Sequence, residues 1–114
     1  LQRMLGMQLT LDLMIFDGQT IPPRGDRPYI MFGSDSKVSG FGGCNRFMGG
    51  YSVSNGKISI GPLASTRMYC EDAQEIEDKF LATLQKIERY KMEPIRLTLF
   101  SEDSRNMLRF YIPV

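Results

Sequence analysis

One short stretch combines residue types that could do chemistry, the glycine-rich run GFGGCNRFMGGY from Gly40 to Tyr51. Backbone N–H groups in such a run can stabilise a thiolate at Cys44, and Arg46 follows two residues later. The sequence contains no histidine to activate the sulfur, and Cys70 is too distant for a C-x-x-C pair. We therefore favour a structural Cys44, either buried or bonded to Cys70, over a reactive thiol.

Two glycine patterns that bind nucleotides do not fit this region. Gly50 and Gly56 are separated by five residues, whereas a P-loop has four at this point, and Ile58 replaces its magnesium-binding hydroxyl. A dinucleotide fingerprint would lead into a helix, but the residues after Gly42 continue as predicted strand. We expect no nucleotide site.

Oxygen and sulfur ligands for a metal ion are present but scattered. None of the acidic positions has the spacing of a calcium-binding loop, and turn or capping roles explain them: Asp17, Asp26, Asp35, Glu71-Asp72 and Glu102-Asp103. The eight methionines are spread along the chain, which is typical of core filling. We expect no metal site and no cofactor.

The bulk composition narrows the functional classes. The 114 residues fit one domain spanning 1–114, and 42% hydrophobic with 24% charged residues is ordinary for a globular protein. A net charge of +1 without a basic block does not favour nucleic acid or an anionic membrane as the main partner. The missing histidine removes Ser-His-Asp and Cys-His catalysis and most zinc sites, so we do not expect an enzyme.

The elements that position these residues are mostly strands. Apolar and polar residues alternate over Met7–Phe16, Asp17-Gly18 predicts a turn, and Tyr29–Phe32 is a short apolar strand, with a loop between that includes Gln19 to Arg27. Asn55-Gly56 favours a type I′ hairpin turn. That turn pairs Val53 with Ile58, Ser52 with Ser59 and Tyr51 with Ile60.

One helix is predicted after Asp72, followed by two strands. Apolar residues recur at three- and four-residue steps: Ala73, Ile76, Phe80, Leu84 and Ile87. Asp72 and Glu75 suit a capping box, and Pro94 predicts an end near Tyr90. Alternation at Ile95–Leu99 and Leu108–Ile112 gives two strands around the polar turn Ser101–Asn106. We predict an α+β fold with a curved antiparallel β-sheet packed around a single α-helix.

Fixed spacings from Val38 to Leu84 carry a resemblance to a known family. The patterns G-x-x-G-C-N-R-F-x-G-x-Y from Gly40, T-R-M-x-C from Thr66 and E-x-x-F-x-x-x-L from Glu77 resemble the META domain, also called the HslJ-like domain. The resemblance makes these positions signature residues without a catalytic role: Gly40, Gly43, Cys44, Asn45, Gly49, Tyr51, Thr66, Arg67, Met68 and Cys70. The chain departs from the family in having no tryptophan, which the first strand of these domains usually carries.

The resemblance implies a small α+β module in which no enzymatic activity defines the family. Such domains occur in bacterial lipoproteins and envelope proteins, and named members are linked to heat-shock response and novobiocin resistance. We therefore expect a cell-envelope, periplasmic or extracellular location, and a parent anchored by lipid whose signal segment was removed before Leu1. The implied role of Cys44 and Cys70, if they meet, is to fasten the glycine corner to the start of the helix.

Three functions follow as hypotheses. The first is a non-catalytic, monomeric envelope module, related to stress or antibiotic resistance, that contacts a protein or small molecule still to be identified. The second is a thiol-redox protein that uses Cys44 and Cys70. The third is a binder of a hydrophobic small molecule on the concave side of the sheet.

Overall fold

The computed structural model describes residues 1–22 and 24–113. In these residues a 3-10 turn at Gln2–Met4 precedes ten β-strands and one α-helix, α1, at Gln74–Leu84. The strands are β1 Leu9–Phe16, β2 Gln19–Ile21, β3 Tyr29–Phe32, β4 Lys37–Phe41, β5 Arg46–Ser54, β6 Lys57–Ile60, β7 Ala64–Ser65, β8 Arg89–Met92, β9 Arg96–Phe100 and β10 Met107–Tyr111.

Eight of these strands close into an antiparallel barrel. The order around the ring is β1, β10, β9, β8, β6, β5, β4 and β3, which pairs with β1 again. Strands β2 and β7 are additions on β1 and β5. The predicted α+β fold with a curved open sheet around a helix is therefore wrong: the structure is mostly β, and pairing of the first strand with the last removes the open edges.

The barrel interior is a filled hydrophobic core. Inward positions alternate along each strand, so Leu9 and Leu11 of β1 are buried, as are Leu97 and Leu99 of β9. The helix α1 adds its apolar stripe to the same core. Phe80 is fully buried and meets the rings of Phe47 and Phe110 edge-on, with centroids 5.9 and 6.2 Å apart. Within residues 1–22 and 24–113, the concave side of the sheet on which a ligand was hypothesised to bind is therefore filled by core side chains.

Several strand predictions are confirmed. The β5–β6 hairpin has the predicted register, with Val53 opposite Ile58, Ser52 opposite Ser59 and Tyr51 opposite Ile60. Asn55 and Gly56 have φ of 50° and 80°, as a type I′ turn requires. In the predicted loop from Gln19 to Arg27, the first three residues instead form β2 against β1. Pro23 of that loop lies outside the described residues.

The helix is shorter than predicted. It ends at Leu84 rather than near Tyr90, and Arg89–Met92 form β8, in which Tyr90 and Met92 are partly buried and Arg89 and Lys91 are exposed. The capping box at Asp72 is also wrong, because the N-cap is Ala73 and no side chain caps the helix. No helix in residues 1–22 and 24–113 is long and apolar enough to cross a membrane.

Candidate functional site

Cys44 and Cys70 form a disulfide bond, with their Cα atoms 5.8 Å apart. Cys44 lies in the turn between β4 and β5 and is 6% exposed, whereas Cys70 lies just before α1. The bond therefore joins the glycine corner, residues 40–45, to the segment that leads into the helix. Both sulfur atoms are used in this link, which agrees with the structural role favoured for the cysteines.

Asn45 uses its whole side-chain amide inside the corner. Its Nδ2 donates to the Met68 carbonyl at 2.9 Å and to Oε1 of Glu77 at 2.8 Å. Its Oδ1 accepts from the Thr66 hydroxyl at 2.9 Å and from the Met68 N–H at 2.8 Å. An amide offers two donors and two acceptor positions, so Asn45 has no capacity left for a ligand.

Glu77 is the acidic centre of this network. Its side chain comes from the buried face of α1, and the residue is 3% exposed. The carboxylate accepts the backbone N–H of Cys44 at 2.9 Å, the backbone N–H of Asn45 and the Asn45 side chain. These donors compensate for removing the charge from water.

Glu77 was not among the site residues predicted from the sequence, although a signal was present. Glu77 lies four residues after Ala73 and three before Phe80, so it falls on the apolar stripe of α1. A carboxylate on the buried side of a helix requires polar partners. In the structure the glycine corner supplies these partners through the backbone N–H groups of Cys44 and Asn45.

The signature glycines allow close packing around the network. A Cβ on Gly40 would lie 2.2 Å from the carbonyl oxygen of Tyr29 and 2.7 Å from the Phe47 ring. Gly43 has φ of +120°, which side chains rarely adopt. A Cβ on Gly49 would lie 2.7 Å from the carbonyl oxygen of Pro62.

Tyr51 belongs to a different contact set. Its hydroxyl donates to the Gly33 carbonyl at 2.7 Å, and its ring meets Phe32 edge-on with centroids 4.9 Å apart. Partial burial raises the pKa of Tyr51 above its usual 10.0, and the nearby Asp35 carboxylate adds to this. The residue thus fastens β5 to the β3–β4 turn and is not part of the corner network.

The remaining signature residues present their side chains to solvent. Arg67 is exposed, and Met68 and the neighbouring Tyr69 are 61% and 75% exposed. The backbone beneath them is fixed, because Asn45 holds both the N–H and the carbonyl of Met68 and the disulfide holds Cys70. The loop Thr66–Cys70 is therefore rigid in its backbone and open at its tip.

Comparison with known proteins places this arrangement in a family. The model of the META domain matches residues 6–112. The chain belongs to the META domain family. Heat shock protein HslJ of Escherichia coli K12 is 32% identical over 85 residues, which cover 73% of this chain. The same alignment covers only 60% of HslJ.

Solved structures share the fold of this META domain. An NMR structure of a protein from Burkholderia xenovorans aligns with a TM-score of 0.81 at 27% identity, covering 99% of this chain and 86% of that one. A crystal structure of a DUF4847 family protein from Bacteroides vulgatus has a TM-score of 0.72 and covers 98% of this chain and 96% of that one. Its 11% identity shows a common fold alone.

Three of the acidic positions considered as metal ligands serve turns or ion pairs in this META domain. Asp35 accepts the Lys37 N–H at 3.1 Å, and Asp103 accepts the Ser101 hydroxyl at 2.8 Å. Asp17 pairs with Lys86 at 3.6 Å. Among residues 1–22 and 24–113, no three acidic or cysteine side chains come close enough to form a metal-binding group.

An apolar groove of about 710 Å³ lies on the outer face of β3, β4 and β5. Met31, Ser39 and Met48 form one row across these strands, because Met31 pairs with Ser39 and Ser39 with Met48. Met48 is 64% exposed, and Gly50 adds no side chain to the groove wall. The groove is therefore on the outer surface of the barrel and not in its filled interior.

Proposed function

We propose that this META domain is a non-catalytic module of the bacterial cell envelope that acts by contact with a partner protein or small molecule. The observation that carries the proposal is the use of the polar signature groups. Asn45 and Glu77 bind each other and the backbone, and both cysteines are bonded, so these groups support the architecture. The exposed signature side chains, Arg67 and Met68, are of types enriched at protein interfaces.

The Cys44–Cys70 bond supports the envelope location. Stable disulfides are characteristic of oxidising compartments such as the bacterial periplasm and are rare in the cytosol. A lipid-anchored parent and a monomeric module are part of the same proposal. A role in stress or in novobiocin resistance also belongs to this proposal. The name of the relative, heat shock protein HslJ, supports only the stress role.

A trapping experiment tests the location. Cells that produce the full-length parent are quenched in acid and treated with a maleimide carrying a polyethylene glycol mass tag. We expect Cys44 and Cys70 to remain untagged until a reductant is added. Tagging of both sulfur atoms without reductant would refute an oxidising compartment.

Site-specific crosslinking tests the mode of action. A photo-crosslinking amino acid is placed at exposed positions on different faces, such as Met48, Tyr69 and Tyr111. We expect at least one position to give a discrete adduct in living cells. Absence of any adduct across the surface, together with turnover of a substrate by the purified domain, would contradict the proposal.

The redox alternative is less well supported, because Cys44 is buried beside the core. We expect purified protein to show no free thiol, either native or denatured, until a reductant is added. Reduction and alkylation should lower the free energy of unfolding by about 3–4 kcal/mol, since the bond closes a loop with a separation of 26 residues. Rapid reduction of the folded protein by thioredoxin would favour the redox function.

The outer groove favours a second candidate function, binding of a hydrophobic small molecule. Its methionine walls adapt to apolar shapes, and its volume of about 710 Å³ is within the range of small-molecule sites. A thermal-shift series with novobiocin and with long-chain fatty acids tests it. Stabilisation that is lost in Met48→Glu but kept in the control Ser52→Glu supports this function, and no stabilisation by any ligand opposes it.

A further inference from the structure

The loop Thr66–Cys70 and the adjoining side of α1 enclose a groove of about 310 Å³. We propose that this loop–helix surface, formed by Arg67, Met68, Tyr69, Gln74 and Asp78, docks a segment of a partner protein that carries an arginine beside an apolar residue. This inference rests on the proposed function, because it names the surface and the partner chemistry through which the module acts.

The first support is the rigidity of the loop beneath its exposed side chains. Asn45 holds the N–H and carbonyl of Met68 at 2.8 and 2.9 Å, and the disulfide fixes Cys70. The loop is therefore already ordered in the free protein, so binding does not have to restrict its backbone further at a cost in conformational entropy. Met68 and Tyr69, at the tip of this loop, are 61% and 75% exposed.

The second support is the charge of the surface. The segment 66–78 contains five acidic residues and one basic residue, in a chain whose net charge is +1. Glu77 is occupied by the corner and Glu75 pairs with Lys79 at 2.8 Å. Within the described part of the chain, the other three carboxylates, at Glu71, Asp72 and Asp78, have no basic side chain at ion-pair distance. The surface is thus complementary to a basic partner.

The third support is an acceptor without a donor. Oε1 of Gln74 is buried and takes no hydrogen bond from residues 1–22 or 24–113. Nε2 of the same side chain donates to Oδ1 of Asp78 at 2.9 Å. The amide that carries the orphan oxygen is therefore held beside the Asp78 carboxylate, and both residues line the groove. A buried acceptor of this kind is unfavourable until a donor reaches it.

These features together select arginine as the anchor. A guanidinium presents several N–H donors in one plane, so it can bind the Gln74 oxygen and the Asp78 carboxylate at once. The same planar group stacks on an aromatic face such as that of Tyr69. An apolar neighbour in the partner would cover Met68, whose flexible thioether adapts to irregular shapes.

A peptide titration tests the inference directly. The probe is the acetylated and amidated pentapeptide Gly-Leu-Arg-Leu-Gly, followed by amide chemical shifts of the whole ¹⁵N-labelled domain. We expect saturable shifts confined to the segments 66–70 and 74–81. The same peptide with citrulline in place of arginine keeps the shape without the charge, and we expect it to bind more weakly.

Matched variants of the domain identify the contacts. Asp78→Asn should raise the peptide dissociation constant about three- to fivefold, and Tyr69→Ala about threefold. Glu102→Gln, which removes an exposed carboxylate on the β9–β10 turn, should leave it unchanged. Each variant is compared by its amide spectrum, so a misfolded protein is recognised before the titration.

Equal binding of the two peptides, shifts that map to another face, or no shift at millimolar peptide would overturn the inference. The proposed function stands separately from this result. A discrete cellular crosslink from Met48 or Tyr111, but not from Tyr69, would keep a contact function and refute this surface.

Discussion

Glu77 shows how one buried charge organises the corner. Three N–H groups from Cys44 and Asn45 converge on its carboxylate, and Asn45 extends the network to Thr66 and Met68. Every member depends on the others, because an unpaired buried polar group costs more than a hydrogen bond gains. Side chains that looked suited to chemistry in the sequence are therefore committed to stability.

Replacing Glu77 tests this dependence. Glu77→Gln substitutes an NH₂ group for one of the two acceptor oxygens, so at least one buried N–H group loses its partner. We expect the free energy of unfolding to fall by about 1–3 kcal/mol, measured by urea denaturation followed by circular dichroism.

Glu75→Gln is the matched control on the same helix. Its side chain is 78% exposed and pairs with Lys79 at the surface, so the free energy of unfolding should be nearly unchanged. Equal effects of the two substitutions would show that Glu77 does not hold the corner.

Among the elements, β4 depends on a close approach to its neighbours. A Cβ on Gly40 would overlap the Tyr29 carbonyl in β3 and the Phe47 ring in β5, whereas a Cβ on Gly50 would meet only the Ser36 oxygen at 3.7 Å. We expect Gly40→Ala to lower the free energy of unfolding by about 3 kcal/mol or more. Gly50→Ala should be tolerated, and a similar loss for both in urea denaturation would contradict this explanation.

The β9–β10 turn contains a carboxylate whose titration reports its hydrogen bonds. The Arg105 N–H donates to Asp103 at 3.1 Å and the Ser101 hydroxyl donates at 2.8 Å, and these lower the pKa of Asp103 below 3.8. The turn is therefore stabilised above the unfolded pKa, and this contribution is lost as the pH falls through the lower folded pKa.

A carbon-detected NMR titration measures this effect. We expect the Asp103 carboxyl midpoint to lie below 3.8, and Ser101→Ala to move it upward because one donor is removed. A midpoint at or above 3.8 in the unmodified protein would show that the turn does not favour the ionised form.

At the scale of the whole molecule, the barrel is closed unevenly. Strands β1 and β10 pair at five positions, from Thr10 opposite Tyr111 to Ile15 opposite Met107. On the other side, β6 and β8 pair at one position, Lys57 opposite Arg89. Next to this narrow seam, Gln85 at the end of α1 donates to the Gly61 carbonyl at 2.9 Å.

Hydrogen exchange should reveal this asymmetry. We expect the amides of Leu108 and Phe110 in β10 to exchange at the rate of global unfolding, because they lie in the fully buried core. The amides of Ile58 and Tyr90, which bond across the seam, should exchange faster through local opening. Equal protection on the two sides would contradict an uneven closure.

Much of the strand structure follows from local chemistry in the sequence. Asn55-Gly56 determines the β5–β6 register because few residues accept positive φ at both turn positions. Alternating apolar residues likewise determine β1, β9 and β10, since burying one face requires a period of two. The signature spacing also identified the family, whereas the sequence left open whether Cys44 is bonded to Cys70, and the structure shows the bond.

Tertiary structure alone decided the closure of the barrel and the partners of the corner. Ile87 continues the helical stripe in sequence, yet the chain beyond Leu84 turns to supply β8 to the barrel. Pairing of β1 with β10 joins residues about as far apart as the chain allows, and no local pattern encodes it. Glu77 and Asn45, 32 residues apart, meet for the same reason: buried polar groups find their partners only when the whole core forms.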